Sequence, residues 1–322
     1  MRLRSYSLVR RLGRGGDGDV WLATTPRGDE VALKALSRLG GLQEQRLRSE
    51  YERLRTLHLP HVIRVLDVDS DQGFVFFTMD VARGLPFDRY VRKAGSLSER
   101  VQRAAGAGSQ VVRALAEIHR LGLAHGDIKP DNILVDQDGT ATLLDFGTVR
   151  AGQSKDTHTI LGTLAYLAPE QRMGRLHDSR VDVYALGVTL HEAISQVAAN
   201  PRATAAARPP LALLGPQVPL ALSDLVQRLL AMDPADRPLA DETLGVLGGI
   251  ARNEAQPPAP WPAFYTFQGD SSNLLDQNCM VVGQAGTGRR RLIEEARWHW
   301  HRRGYRSITG RCRPDQPFSA LR

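Results

Sequence analysis

The chain has 322 residues, 42% of them hydrophobic, which excludes a disordered chain and suggests roughly two domains. Its two cysteines, Cys279 and Cys312, exclude a disulfide framework for the first 278 residues, and the sequence, with no signal peptide behind its basic start and no apolar run of the ~20 residues that cross a bilayer, reads as cytoplasmic. The net charge of +7 resides in residues 289–322, where ten arginines face three acidic residues, while the rest balances at 32 basic and 32 acidic, against a nucleic-acid-binding body.

The first third reads as short strands. Leu8 to Leu12, Val20 to Ala23, Val31 to Leu36 and Phe74 to Met79 are apolar runs separated by turn residues. Between them Leu47, Tyr51, Leu54 and Leu57 recur at helical spacing, predicting an amphipathic helix. From Ser98, with Glu99 as a helix start, the pattern turns helical, and Val111, Leu115 and Ile118 form one stripe. Ile133 to Val135 and Ala141 to Leu144 are strands joined by the hairpin-turn residues 136–139. Val181 to Ile194 is apolar nearly all round and predicts a buried helix. Leu222 to Met232 and Ala240 to Leu247 are further helices. The proline-rich stretch 256–262 cannot continue a helix and reads as a linker.

Three clusters carry chemistry. Gly13, Gly15 and Gly18, followed by Val20, lie between two strand-like runs, where glycines let the backbone approach a polyphosphate. Taken alone this pattern is more often an ordinary glycine-rich hairpin. Lys34 follows inside the apolar strand Val31-Ala32-Leu33-Lys34, where it could reach phosphates, and Glu50 on the predicted helix could pair with it. Glu44 and Glu52 are competitors for that role. The strongest cluster runs from His125 through Asp127, Lys129 and Asn132, with Asp145-Phe146-Gly147 thirteen residues beyond. It supplies one carboxylate to accept a hydroxyl proton, and one Asn and one Asp of the oxygen type that suits Mg²⁺.

These motifs, in this order, resemble the protein kinase family over roughly the first three quarters of the chain. The resemblance implies an α+β, bilobal protein-kinase fold, with a strand-rich N-lobe, a helical C-lobe and ATP between them. It implies Asp127 as catalytic base, Lys129 on the transferring phosphate, and Asn132 and Asp145 as magnesium ligands. It places Lys34, paired with Glu50, on the α- and β-phosphates. Met79 becomes the gatekeeper, Asp80 to Ala82 the hinge, and Val20, Ala32 and Leu134 the adenine sandwich. Glu170 of Ala168-Pro169-Glu170 pairs with Arg237, and Asp182 anchors the catalytic loop. Lys129 and Gly162-Thr163 resemble serine/threonine kinases, and Leu161 to Gln171 is similar to bacterial members; the expected partner is a protein substrate.

His125-Gly126-Asp127 also resembles small-molecule phosphotransferases such as aminoglycoside kinases, but Lys129, the loop with Val20 and Ala168-Pro169-Glu170 favour a protein substrate. A pseudokinase is disfavoured because the lysine, base and metal ligands are intact. Gly126 replaces the arginine that in many members reads an activation-loop phosphate, so basal activity is expected not to require phosphorylation of Thr157 or Thr159.

Val281 to Arg290 has the shape of a P-loop. Together with the residues up to Cys312, it resembles the start of an AAA-type ATPase module, as found after kinase domains in large bacterial signalling proteins. Arg289 and Arg290 stand where the lysine and the magnesium-binding Ser/Thr belong, so a degenerate or truncated fragment without ATP hydrolysis is expected. The expected domains are a kinase domain, 6–249, a linker, 250–269, and this P-loop fragment, 270–322, with downstream ATPase or regulatory domains in a longer parent protein.

Overall fold

The computed structural model describes residues 2–15, 18–36, 55, 59–71, 74–144, 150–151, 163–175, 177–199 and 208–254. All of them belong to one compact unit, Met1–Ala259. The predicted helix around Leu47 to Leu57 (Arg55 apart), Glu50, Asp145 to Gly147, the linker residues 255–269 and the P-loop-like segment lie outside the described residues.

The N-terminal part is a six-stranded antiparallel sheet. Its strands are β1 (Arg2–Leu3), β2 (Tyr6–Gly15), β3 (Gly18–Thr24), β4 (Glu30–Leu36), β5 (Val65–Asp71) and β6 (Phe74–Met79), in the spatial order β1-β2-β3-β4-β6-β5. Alternation of side chains divides the sheet into two faces. Leu3, Ala23, Val31, Leu33 and Phe76 build a small core on one side. Ala32, Phe77 and Met79 point the other way and join the main core. The N-terminal segment closes over the small core: Tyr6 meets Phe76 edge-on, Arg4 pairs with Asp69, and its N–H donates to Asp71 at 2.7 Å.

Among the described residues beyond Met79, helices predominate: α1 (Phe87–Arg92), α2 (Leu97–Arg120), α3 (Pro169–Arg172), α4 (Arg180–Ser195), α5 (Leu220–Leu229) and α6 (Ala240–Ala251). Short strands β7 (Leu85–Pro86), β9 (Ile133–Val135) and β10 (Ala141–Leu143) form one small sheet, and β8 (Leu123–Ala124) pairs with β11 (Arg150–Ala151). Helix α4 is the centre of this lobe. Every residue from Val181 to Ile194 is buried, as its all-round apolar character predicts. Each fully buried Val, Leu or Ile contributes about 1.5–3 kcal/mol, so α4 and its neighbours hold the lobe.

Several boundaries differ from expectation. Helix α2 starts at Leu97, because Ser96, rather than Ser98, caps it by accepting the Glu99 N–H at 3.1 Å. Helix α5 spans Leu220–Leu229 rather than Leu222 to Met232. Helix α6 continues to Ala251, past the expected helix end at Leu247. Gly248, Gly249 and Ile250 are buried there, so packing overrides the weak helix propensity of the glycine pair.

Two sets of backbone bonds tie the lobes together. The Ile63 N–H donates to the Leu143 carbonyl at 2.9 Å, and the Leu143 N–H donates to the His61 carbonyl at 2.8 Å. Nearby, the Asp80 N–H donates to the Arg64 carbonyl at 3.1 Å, joining this connection to the segment that crosses between the lobes.

A buried ion pair fixes α3 against the segment between α5 and α6, as expected from sequence. Arg237 donates twice to Glu170, at 2.6 and 2.8 Å, and to the carbonyls of Ala231 and Arg180. Its guanidinium lies over the Tyr184 ring at 4.9 Å. Removing one partner strands the other in a dry interior. Arg237→Met is therefore expected to lower stability by about 3–5 kcal/mol, read as a fall in the urea midpoint, and a second change, Glu170→Leu, to recover part of that loss.

Candidate active site

The sheet brings four of the sequence-predicted residues onto one face. Val20 of β3 lies opposite Lys34 of β4, and Ala32 lies opposite Met79 of β6. Lys34 and Ala32 are two residues apart on β4, so their side chains share that face. Lys34 is 3% exposed, which removes the alternative of a solvated surface lysine. Leu134, on β9, lies opposite Thr142 and Pro86. Ala82 packs against the main core, and Asp80 is exposed.

Gly13 faces Val20, and Gly15 faces Gly18, at the β2–β3 end. Gly18 has φ +139°, and a Cβ there would stand 2.0 Å from the Ala35 carbonyl oxygen. Its glycine is thus demanded by close strand packing, whatever passes over the loop.

The loop after β8 carries the second group. Asp127 Oδ2 accepts from Lys129 Nζ at 2.6 Å and from Asn132 Nδ2 at 2.8 Å. The same amide nitrogen donates to the Asp127 backbone carbonyl at 2.8 Å. Asn132 is placed by the single 3₁₀ turn Pro130–Asn132, where proline pre-sets the backbone angle. The other carboxylate oxygen, Asp127 Oδ1, is buried and without a hydrogen-bond partner.

The loop is held from below by α4. The buried Asp182 carboxylate accepts from the backbone N–H groups of His125 at 2.8 Å and Gly126 at 2.7 Å, and from His119 Nε2 at 2.9 Å. Complete burial pushes this carboxyl upward, but the His119 bond and the Gly126 N–H outweigh it and hold it below the ordinary aspartate range. His125 Nε2 faces the Leu144 carbonyl at 2.9 Å, and its Nδ1 accepts the Asp127 N–H at 3.3 Å. Both bonds are satisfied by a neutral ring protonated on Nε2. Gly126 has φ +80°, a conformation costly for other residues, so glycine at this position relaxes the loop.

The structure thus gathers Asp127, Lys129 and Asn132 into one bonded cluster and Val20, Ala32, Lys34 and Met79 onto one sheet face. Glu50 and Asp145 lie outside the described residues. Sequence reasoning missed His119, whose partner is 63 positions away, and the 2.5 Å bond from the Tyr166 hydroxyl to Glu192. Burial and Glu192 together push the Tyr166 hydroxyl well above the ordinary phenol range. Position in the last turn of α2 was the one available signal for His119.

This arrangement of a glycine-edged sheet, a buried strand lysine and an Asp–Lys–Asn loop defines a class, and comparison with known proteins agrees. A family model described as protein kinase domain matches residues 6–246, and the chain belongs to this family. Among its relatives are serine/threonine-protein kinase PrkC of Bacillus subtilis, 31% identical over 72% of this chain and 38% of that protein, and Pkn1 of Myxococcus xanthus, 35% identical over 74% and 37%. PknA of Mycobacterium tuberculosis is 32% identical over 79% of this chain and 63% of its own length. The chain therefore spans less than two thirds of each of these relatives. A solved structure of the Mycobacterium tuberculosis PknI kinase domain, a double mutant, superposes with a TM-score of 0.60 at 26% identity, covering 78% of this chain and 97% of that one. No helix among the described residues is long and apolar enough to cross a membrane.

His191 gives the site's surroundings a pH dependence. Its Nε2 faces the Pro209 carbonyl at 2.9 Å; burial first, and the Arg208 charge second, lower its pKa below 6.5 despite that bond. The unfolded chain then binds a proton here before the folded one does. Stability from this group is complete above the unfolded value of about 6.5 and is lost as pH falls toward the folded value. The melting temperature is expected to drop between pH 7 and 5.5, and to drop less in His191→Gln.

Proposed function

We propose that this chain is a serine/threonine protein kinase that transfers the γ-phosphoryl group of ATP to hydroxyls of protein substrates. The observation that carries the reading is the state of Asp127: one oxygen is fixed by Lys129 and Asn132, and the other is buried and free to accept. A carboxylate so held, with one oxygen fixed and the other unpartnered, is placed to act as a general base toward one incoming O–H. Lys129 sits where it can pass between that base and a phosphoryl oxygen. Lys34, on the dry face of the sheet, is assigned to the α- and β-phosphates, with Glu50 as its partner. Val20, Ala32, Met79 and Leu134 form the apolar walls for a purine, and Asp80 and Ala82 offer backbone groups at its edge. Gly13, Gly15 and Gly18 cover the phosphates.

The donor set fits magnesium. Asn132 spends its Nδ2 on Asp127, which leaves the amide oxygen for a hard cation, and Asp145 is assigned from the sequence as the carboxylate ligand. When bound, the ion neutralises charge on the phosphoryl oxygens. From sequence alone we extend the reading to a cytoplasmic location, a kinase domain near residues 6–249 and a degenerate AAA-type fragment, 270–322, joined by the proline-rich linker, with further ATPase or regulatory domains downstream in a longer parent.

The test is incubation with labelled ATP and Mg²⁺, with myelin basic protein in one tube and an aminoglycoside in another. Label is expected on Ser or Thr, and Asp127→Asn or Lys34→Met is expected to reduce transfer at least about a hundredfold, about 3 kcal/mol of barrier, with unchanged melting. Label on the small molecule alone would replace this reading. Because Gly126 offers no cation to an activation-loop phosphate, the double variant Thr157→Ala/Thr159→Ala is expected to keep turnover on an added substrate within a few-fold of wild type, measured by initial rates.

A further inference from the structure

Two buried arginines in the C-lobe make an instructive contrast. Arg237 is saturated by Glu170, two carbonyls and a ring face. Arg208 is almost as buried, at 6% exposure, yet its Nη1 has no partner and its Nη2 makes a single long bond of 3.4 Å to the Ala165 carbonyl. It forms no ion pair among the described residues. A buried lysine could shed its proton; a guanidinium cannot, so its charge must be met by something.

The place of Arg208 says what. A second cation, the exposed Arg172, also donates to the Ala165 carbonyl, at 3.3 Å, and to the Leu167 carbonyl at 3.0 Å. His191 fixes the adjoining Pro209 carbonyl, and Gln227 fixes the carbonyl of Arg208 itself, so the approach of Arg208 is set by the fold. Ala165 ends the turn Thr163–Ala165, and the next two residues, Tyr166 and Leu167, line a cavity together with Asp127. The two guanidinium groups therefore converge on the segment that runs beside the base.

We infer that Arg208 and Arg172 form an anion-binding subsite that selects protein substrates carrying an acidic or phosphorylated side chain near the accepting hydroxyl. Planar guanidinium forks match the paired oxygens of a carboxylate or phosphate, and such a group would supply the acceptor that Nη1 lacks. The inference rests on the kinase reading, and it concerns which substrate that site prefers.

The experiment uses the full chain and a set of fluorescent serine peptides that differ at one scanned position, bearing Ala, Asp or phosphoserine. Binding is read by anisotropy without ATP, and phosphorylation by initial rates. Wild type is expected to favour an anionic peptide over its Ala counterpart by about tenfold at one or two positions, the worth of one charge-assisted bond. Asp and phosphoserine arms separate carboxylate from phosphate as the preferred source. In Arg208→Gln and Arg172→Gln the anionic-to-Ala ratio is expected to fall toward one. Arg172 is exposed, so its variant keeps the test valid should the buried change unfold the lobe. An undiminished ratio in Arg172→Gln, or a wild type indifferent to anions at every position, overturns the assignment. Anion-selective binding without any transfer would leave the subsite standing and sink the kinase reading instead.

Discussion

The carboxylate of Asp182 is the interaction on which the rest of the site depends. It sits on a helix with no exposed residue from Val181 to Ile194, where an unpaired charge would cost several kcal/mol. Three donors offset that cost: His119 and the backbone N–H groups of His125 and Gly126. The penalty that makes an isolated buried charge untenable makes this one a locating device, because any displacement of the loop leaves the carboxylate short of a donor.

Consequences run outward one bond at a time. Asp127 follows Gly126 directly, so its position inherits the accuracy of the Asp182 contacts. Ile128, 1% exposed, anchors the next residue in the core. The Leu144 N–H donates to the Asn132 carbonyl at 2.8 Å, and His125 Nε2 holds the Leu144 carbonyl. The loop and the strand end leading to Asp145 are thereby one bonded unit. Such rigidity is what phosphoryl transfer asks of a protein, since positioning and electrostatics supply nearly all of its catalysis.

Much of this was legible in the sequence because it is local. The buried helix α4 shows in its unbroken apolar run, and the hairpin of β9 and β10 shows in the residues 136–139, where Asp136 accepts from the N–H groups of Asp138 and Thr140. The motif residues 125–132 could be placed because their spacing is short. Strand β5 was not legible: a register irregularity between Val65 and Asp67 breaks the alternation that marks a strand. Short strands β1, β8 and β11 carry too few residues for any period. The pairings of His119 with Asp182 and of Arg208 with Ala165 are decided by tertiary packing and leave no local mark, whereas that of Glu170 with Arg237 was implied by the family resemblance.

The connection at His61 to Arg64 has a mechanical meaning. A body joined to another at one point can swing in any direction; joined at two, it can turn only about the line through them. The sheet lobe is attached to the helical lobe by the strand-like contact with Leu143 and by the crossing segment at Asp80, and Arg64 bonds the one to the other. Among the described residues, these two attachments favour rotation of the lobes about the line through them. A rotation about that line would move Lys34 relative to Asp127 more than Met79, which directly precedes the attachment at Asp80.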